Sequence, residues 1–175
     1  MEICMNNITE AKYLCRLYET ERILVNPTDG TEFIADAKEV FSGYIDDDFT
    51  NWNLKVRGKG TPAMPVEIHE QTEDGMFAQI WEILNGDLNK LRMTQGQIKD
   101  FSKNNRDKLR ADGYGTFFLF SRGDEPVNAD KSNVFVANVS FGDGGRLKVG
   151  VIRFLRGYVW GARFQHRFVF PQLAA

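Results

Sequence analysis

His166 stands between Arg163 and Arg167, with Tyr158 a short way upstream. An imidazole flanked by guanidinium groups has the parts needed for RNA cleavage. The ring moves a proton, and the cations hold and stabilise a phosphate. The same cations, with Arg146 and Lys148, could instead bind phosphates without chemistry. From Gly144 to Ala175 the chain carries six bases, Arg146, Lys148, Arg153, Arg156, Arg163 and Arg167, and no Asp or Glu. The other 16 of the 22 Lys and Arg residues face all 24 acids, although the net charge is only −2. A basic segment in an acidic chain fits a nucleic-acid or acidic-protein partner. It fits equally well a contact with the acidic remainder of the chain itself.

Other chemistry is thinly represented. Asp46, Asp47 and Asp48 offer oxygen ligands to a hard cation, but the glycine-anchored spacing of a calcium loop does not follow them. A solvated acidic turn is the simpler reading, and no metal or cofactor is expected. His69 lacks a recognisable partner. Cys4 and Cys15 have no zinc spacing and form no disulfide framework, so two thiols in a reducing cytoplasm are expected. The first residues lack the basic and apolar regions of a signal peptide, and no apolar run is long enough to span a bilayer.

Several elements must position these groups. Ile8 to Thr20 reads as an amphipathic helix with Ala11, Leu14, Cys15 and Tyr18 on one face, followed by a strand over Arg22–Asn26 and a turn at Pro27–Gly30. Residues 46–65 read as one long connection. Two helices follow. Thr72 caps the first, whose stripe is Phe77, Ile80, Trp81 and Leu84. Thr94 and Gln97 form a capping box for the second, which runs to Gly113. Four strands finish the chain, at Thr116–Ser121, Asn133–Phe141, Arg146–Phe154 and Tyr158–Phe170.

The spacing predicts an antiparallel meander for those four strands. A three-residue loop at Gly142–Gly144 sets Phe141 against Gly145 and keeps the large apolar residues on one face. A tight turn at Arg156-Gly157 then places Arg146 opposite Arg167 and Arg153 opposite Trp160. Arg146, Lys148, Arg163 and Arg167 share the outer face, and His166 points inward.

The segments Met93–Ile98, Asp112–Phe120 and Gln165–Leu173 resemble stretches of small hypothetical proteins of environmental bacteria, over about the C-terminal half. The resemblance implies a bacterial intracellular origin and no particular activity. The expectation is a single α+β domain over residues 1–175, with 1–65 as a possible subregion. It has an N-terminal helix and strands, a central helical pair, and a C-terminal four-stranded β-meander packed on helices. Its expected role is non-enzymatic binding of nucleic-acid phosphates through Arg146, Lys148, Arg163 and Arg167. A protein-interaction module of the inhibitor or immunity type is the alternative, and a small ribonuclease the third.

Overall fold

The computed structural model describes residues 12–173. Eight strands form one mixed sheet: β1 (Leu14–Leu17), β2 (Ile23–Val25), β3 (Tyr44–Ile45), β4 (Met64–Gln71), β5 (Thr116–Ser121), β6 (Val134–Phe141), β7 (Leu147–Arg153) and β8 (Arg167–Pro171). The order across the sheet is β1-β4-β8-β5-β6-β7-β3, with β2 beside β4 in line with β1. The pairs β5–β8 and β3–β7 are parallel, and the others are antiparallel. Three α-helices lie among the described residues: α1 (Asp48–Asn51), α2 (Phe77–Leu84) and α3 (Gln95–Asn104).

This architecture overturns the expected α+β meander on helices. β7 and β8 are not neighbours. β8 enters the middle of the sheet, between β4 and β5. The expected last strand breaks where residues 162–164 form a 3-10 turn and Gln165 takes a left-handed conformation, φ 52°. The hairpin β6–β7 forms, but Phe141 faces Leu147 rather than Gly145, because residues 142–146 all belong to the loop. A two-residue shift leaves every side chain on its expected face. The predicted N-terminal helix is also corrected: its described part is a turn and strand β1, and the rest lies outside the described residues. Cys15, buried in β1, is disulfide-bonded rather than a free thiol.

Strand β5 explains the layering. Its sequence, Thr-Phe-Phe-Leu-Phe-Ser, is buried at every position, as a strand covered on both faces must be. Phe118 and Phe120 face one core with Val139, Val149 and Val169, covered by Ile98 and Phe101 of α3. Phe117 and Leu119 face a second core with Phe168 and Phe170, covered by Phe77, Ile80 and Trp81 of α2. The Thr94–Gln97 capping box forms as the sequence predicts, with both reciprocal hydrogen bonds. The helix it starts ends at Asn104, nine residues before Gly113. Helix α2 starts at Phe77 and not after Thr72, because β4 runs on to Gln71 and Thr72 donates its N–H to Tyr13 C=O.

The stretch 46–65 is pinned rather than loose. Gln95 Nε2 donates to Leu54 C=O, and Lys59 N–H donates to Asp124 Oδ2 at 2.9 Å. Burial pushes the Asp124 carboxyl above its ordinary value. Gly58 packs so closely on that carboxylate that an added Cβ would lie 1.8 Å from Oδ2. Among the described residues no helix is long and apolar enough to cross a membrane.

Candidate binding cleft at the open sheet edge

The edge strand β3 covers only Lys148 and Val149 of β7, and the chain then turns away into α1. Asp46 makes that departure. Its N–H donates to Val149 C=O, its Oδ2 accepts from Val151 N–H at 3.2 Å, and its Oδ1 accepts from Asp48 N–H at 3.0 Å. Phe49 is fully buried and stacks at 6.2 Å on Phe120, which fastens α1 to the sheet. The short helix thereby presents Asp48 and Trp52 to the rest of β7.

A cleft of about 630 Å³ results, lined by Asp46, Asp48, Trp52, Asn138, Gly150, Val151, Ile152, Arg153, Leu155 and Arg156. The volume lies in the range of small-molecule and short-peptide sites. Arg153 stacks over Trp52 with its guanidinium carbon 4.3 Å from the ring centre, and Arg156 lies 5.9 Å from the Tyr158 ring. Stacking orients a guanidinium while leaving its N–H fork free. Neither arginine has a carboxylate partner among the described residues. At the floor, Asn138 Oδ1 is buried without a hydrogen-bond donor. Leu155 at the cleft's rim and Tyr158 and Val159 beyond it are half or more exposed, and they are three of the six large exposed hydrophobics described.

The four sequence-predicted cations are dispersed. Lys148 projects from the face of β7 opposite its buried Val149, on the α2 side of the sheet. Arg167 projects to the α3 side, like its neighbour Val169 two residues on, and donates to Tyr18 Oη at 3.2 Å and Lys108 C=O at 2.6 Å. Arg146 sits at the β6–β7 turn with Nε near Asp143 C=O, and Arg163 lies over the Phe164 ring. The expected Arg146–Arg167 juxtaposition does not occur, because β7 and β8 do not pair. Arg153 meets Trp52 instead of Trp160 for the same reason. Asp46, Asp47 and Asp48 do not converge, and among the described residues no group of three or more potential ligands could hold a metal ion.

His166 is buried at 7% exposure among Phe117, Trp160 and Phe164, and its Nδ1 accepts from Gly115 N–H at 3.2 Å. Burial, aided by the charge of Arg110, pushes its pKa below 6.5. An imidazole without solvent access is not placed to move a substrate proton. Its titration does couple to stability. As pH falls below about 6.5, the unfolded chain takes up a proton that the folded chain refuses, so stability declines until the lowered folded pKa is passed. The urea midpoint of the wild type is expected to fall across that window. His166→Gln, which keeps an acceptor for Gly115, should flatten the slope. An identical slope in the variant would assign it to other groups.

His69 has the partners that sequence reasoning missed. Glu67 Oε2 lies 3.2 Å from His69 Nε2, and Glu67 Oε1 lies 3.3 Å from Arg16. The spacing Glu67-x-His69 puts both on one face of a strand, a signal hidden while His69 reads as lying just before a helix start and Met64–Gln71 is not read as a strand. A carboxylate-backed imidazole has the form of a general base, yet its other nitrogen is buried, unpaired, and its ring lies 4.8 Å from Phe170. Trp52 and Leu155 were also missed. The run Leu155-Arg-Gly-Tyr-Val-Trp160, rich in large apolar residues and free of acids, is the signal that marked the second. Comparison with protein-family models, curated proteins and solved structures found no match.

Proposed function

We propose that this protein is a binding module that holds an acidic segment of a partner protein in the cleft beside β7. The observation that carries the reading is the pair Arg153 and Arg156. Arg153 stacks on Trp52 and Arg156 lies within cation–π range of Tyr158; both lack carboxylate partners among the described residues and stand beside exposed Leu155, Tyr158 and Val159. Arginine and aromatic anchors dominate the energetics of protein interfaces, and an apolar patch next to them favours a polypeptide over a phosphate backbone. Asp46 and Asp48 on the opposite wall also disfavour a long polyanion. The nucleic-acid reading of Arg146, Lys148, Arg163 and Arg167 has less support, since Lys148 and Arg167 lie on opposite faces of the sheet.

Selection of a random-peptide display library on the immobilised full chain tests this. Sequences with carboxylates around an apolar residue should be enriched. The Arg153→Glu/Arg156→Glu double variant should lose them. Selected peptides without acidic residues, or enrichment that survives the double variant, would overturn the reading. Displacement of the peptides by oligothymidylate at low salt would favour nucleic acid.

A further inference from the structure

The ladder at the sheet edge stops one rung short of the end of β7. In the β6–β7 hairpin, Phe154 N–H donates to Val134 C=O and Gly142 N–H donates to Arg146 C=O. These bonds turn the main-chain groups of the even-numbered β7 residues toward β6, so those of Leu147, Val149, Val151 and Arg153 point outward. Gly43 N–H meets Leu147 C=O, and Asp46 N–H meets Val149 C=O. The Asp46 carboxylate then takes Val151 N–H in the place where a strand carbonyl would stand. Asp46 thus fills one rung with its backbone N–H and its side chain, and the chain leaves. The next rung consists of Val151 C=O and Arg153 N–H. Neither has a hydrogen-bond partner among the described residues, and both lie on residues that line the cleft.

We infer that an extended acidic segment of the partner adds to the sheet here as a short parallel strand in line with β3, with one residue donating its N–H to Val151 C=O and accepting from Arg153 N–H. The inference rests on the reading of the cleft given above and specifies how the segment is held. Main-chain pairing supplies register, as in other cases of strand addition, and side chains on either side of the paired residue supply specificity. Carboxylates flanking that residue reach the free forks of Arg153 and Arg156, which is the charge complementarity that selects an acidic occupant. The paired residue's own side chain is apolar in this scheme, to match Leu155 and Ile152. Asp46 also limits the addition, because it blocks the preceding rung and holds the incoming segment to the last one.

The probe is the capped pentapeptide acetyl-Asp-Glu-Leu-Asp-Glu-amide, titrated into the isotopically labelled full chain at low salt and followed by amide resonances. Binding should shift the Arg153 amide, slow its hydrogen exchange, and leave the Val151 amide protected by Asp46 in both states. N-methylation of the central leucine, which removes its donor to Val151 C=O, should weaken binding about tenfold or more. Binding of both peptides with equal affinity, or without a change in Arg153 exchange, would overturn strand addition while leaving the cleft as the docking site. No binding of either peptide at millimolar concentration would overturn both.

Discussion

Replacing Arg153 with glutamate is expected to weaken the acidic peptide about 10- to 100-fold, a loss of about 1.4–2.7 kcal/mol. The size follows from position. Arg153 is exposed, so its removal does not strand a buried charge, and losses of the kind seen when a buried ion pair is broken do not apply. Reversal does more than delete one attraction. It places a third carboxylate on a cleft already carrying Asp46 and Asp48, against a ligand of the same sign. The effect should shrink as salt rises, since both charges are solvent-accessible.

Stability should change little in that variant. The substitution removes the stacking of the guanidinium on Trp52 and Phe135, worth about 0.5–1 kcal/mol at an exposed site. Arg153→Lys separates charge from geometry: it keeps the cation but loses the planar fork, so an intermediate affinity is expected. Isothermal titration alongside urea unfolding checks both statements. Unchanged affinity in Arg153→Glu, with the fold intact, would remove the cleft wall from the interface.

What was legible in the sequence was local. The Thr94–Gln97 box needs only four residues to declare itself, and it forms as expected. The faces of β6 and β7 are set by alternation, so they hold even though the register shifts by two. The errors came from long-range pairing. Nothing near Arg167 in the sequence announces that β8 pairs with Glu70 of β4 on one side and Thr116 of β5 on the other. A meander is the simplest connection, and with it comes a basic face that the sheet does not possess. Strand β4 is hidden by its own composition: Glu67, His69 and Glu70 make Met64–Gln71 look solvated, yet Arg16 and His69 satisfy Glu67 within the sheet.

The cleft was out of reach for a related reason. Its walls come from α1, from β7 and from the loop after β7, about a hundred residues apart in the chain, and Asp46 joins them through a side chain standing in for backbone. The acidic triplet at 46–48 stands out in the sequence for its charge, while at the sheet edge its use is the hydrogen-bonding geometry of Asp46. Arg153 does lie over a tryptophan, as the sequence suggests, but the partner is Trp52, carried there by the buried Phe49.

Phe117→Ala is expected to cost about 3–5 kcal/mol, the range for removing a fully buried aromatic ring from a core that collapses only partly. Phe117 lies on a central strand, and its ring sits 5.1 Å from Phe77, 4.8 Å from Trp160, 4.9 Å from His166 and 5.1 Å from Phe168. Those four come from α2, from the segment after β7, from the approach to β8 and from β8 itself, so one cavity loosens several elements together. Phe117→Leu keeps much of the volume and should lose markedly less. Trp160 carries the consequence to the binding edge. It bridges to Gly75 through two backbone hydrogen bonds, and together with the Tyr158 ring, 4.7 Å away, it anchors the exposed segment that presents Tyr158 and Val159. Water entering beside His166 would also lessen the burial that lowers its pKa, so the acid-side decline in stability should be shallower in Phe117→Ala than in the wild type. Urea unfolding at several pH values reads both effects. A loss below about 1 kcal/mol would mean that α2 and Trp160 close over the gap, and that Phe117 is not the centre of this core.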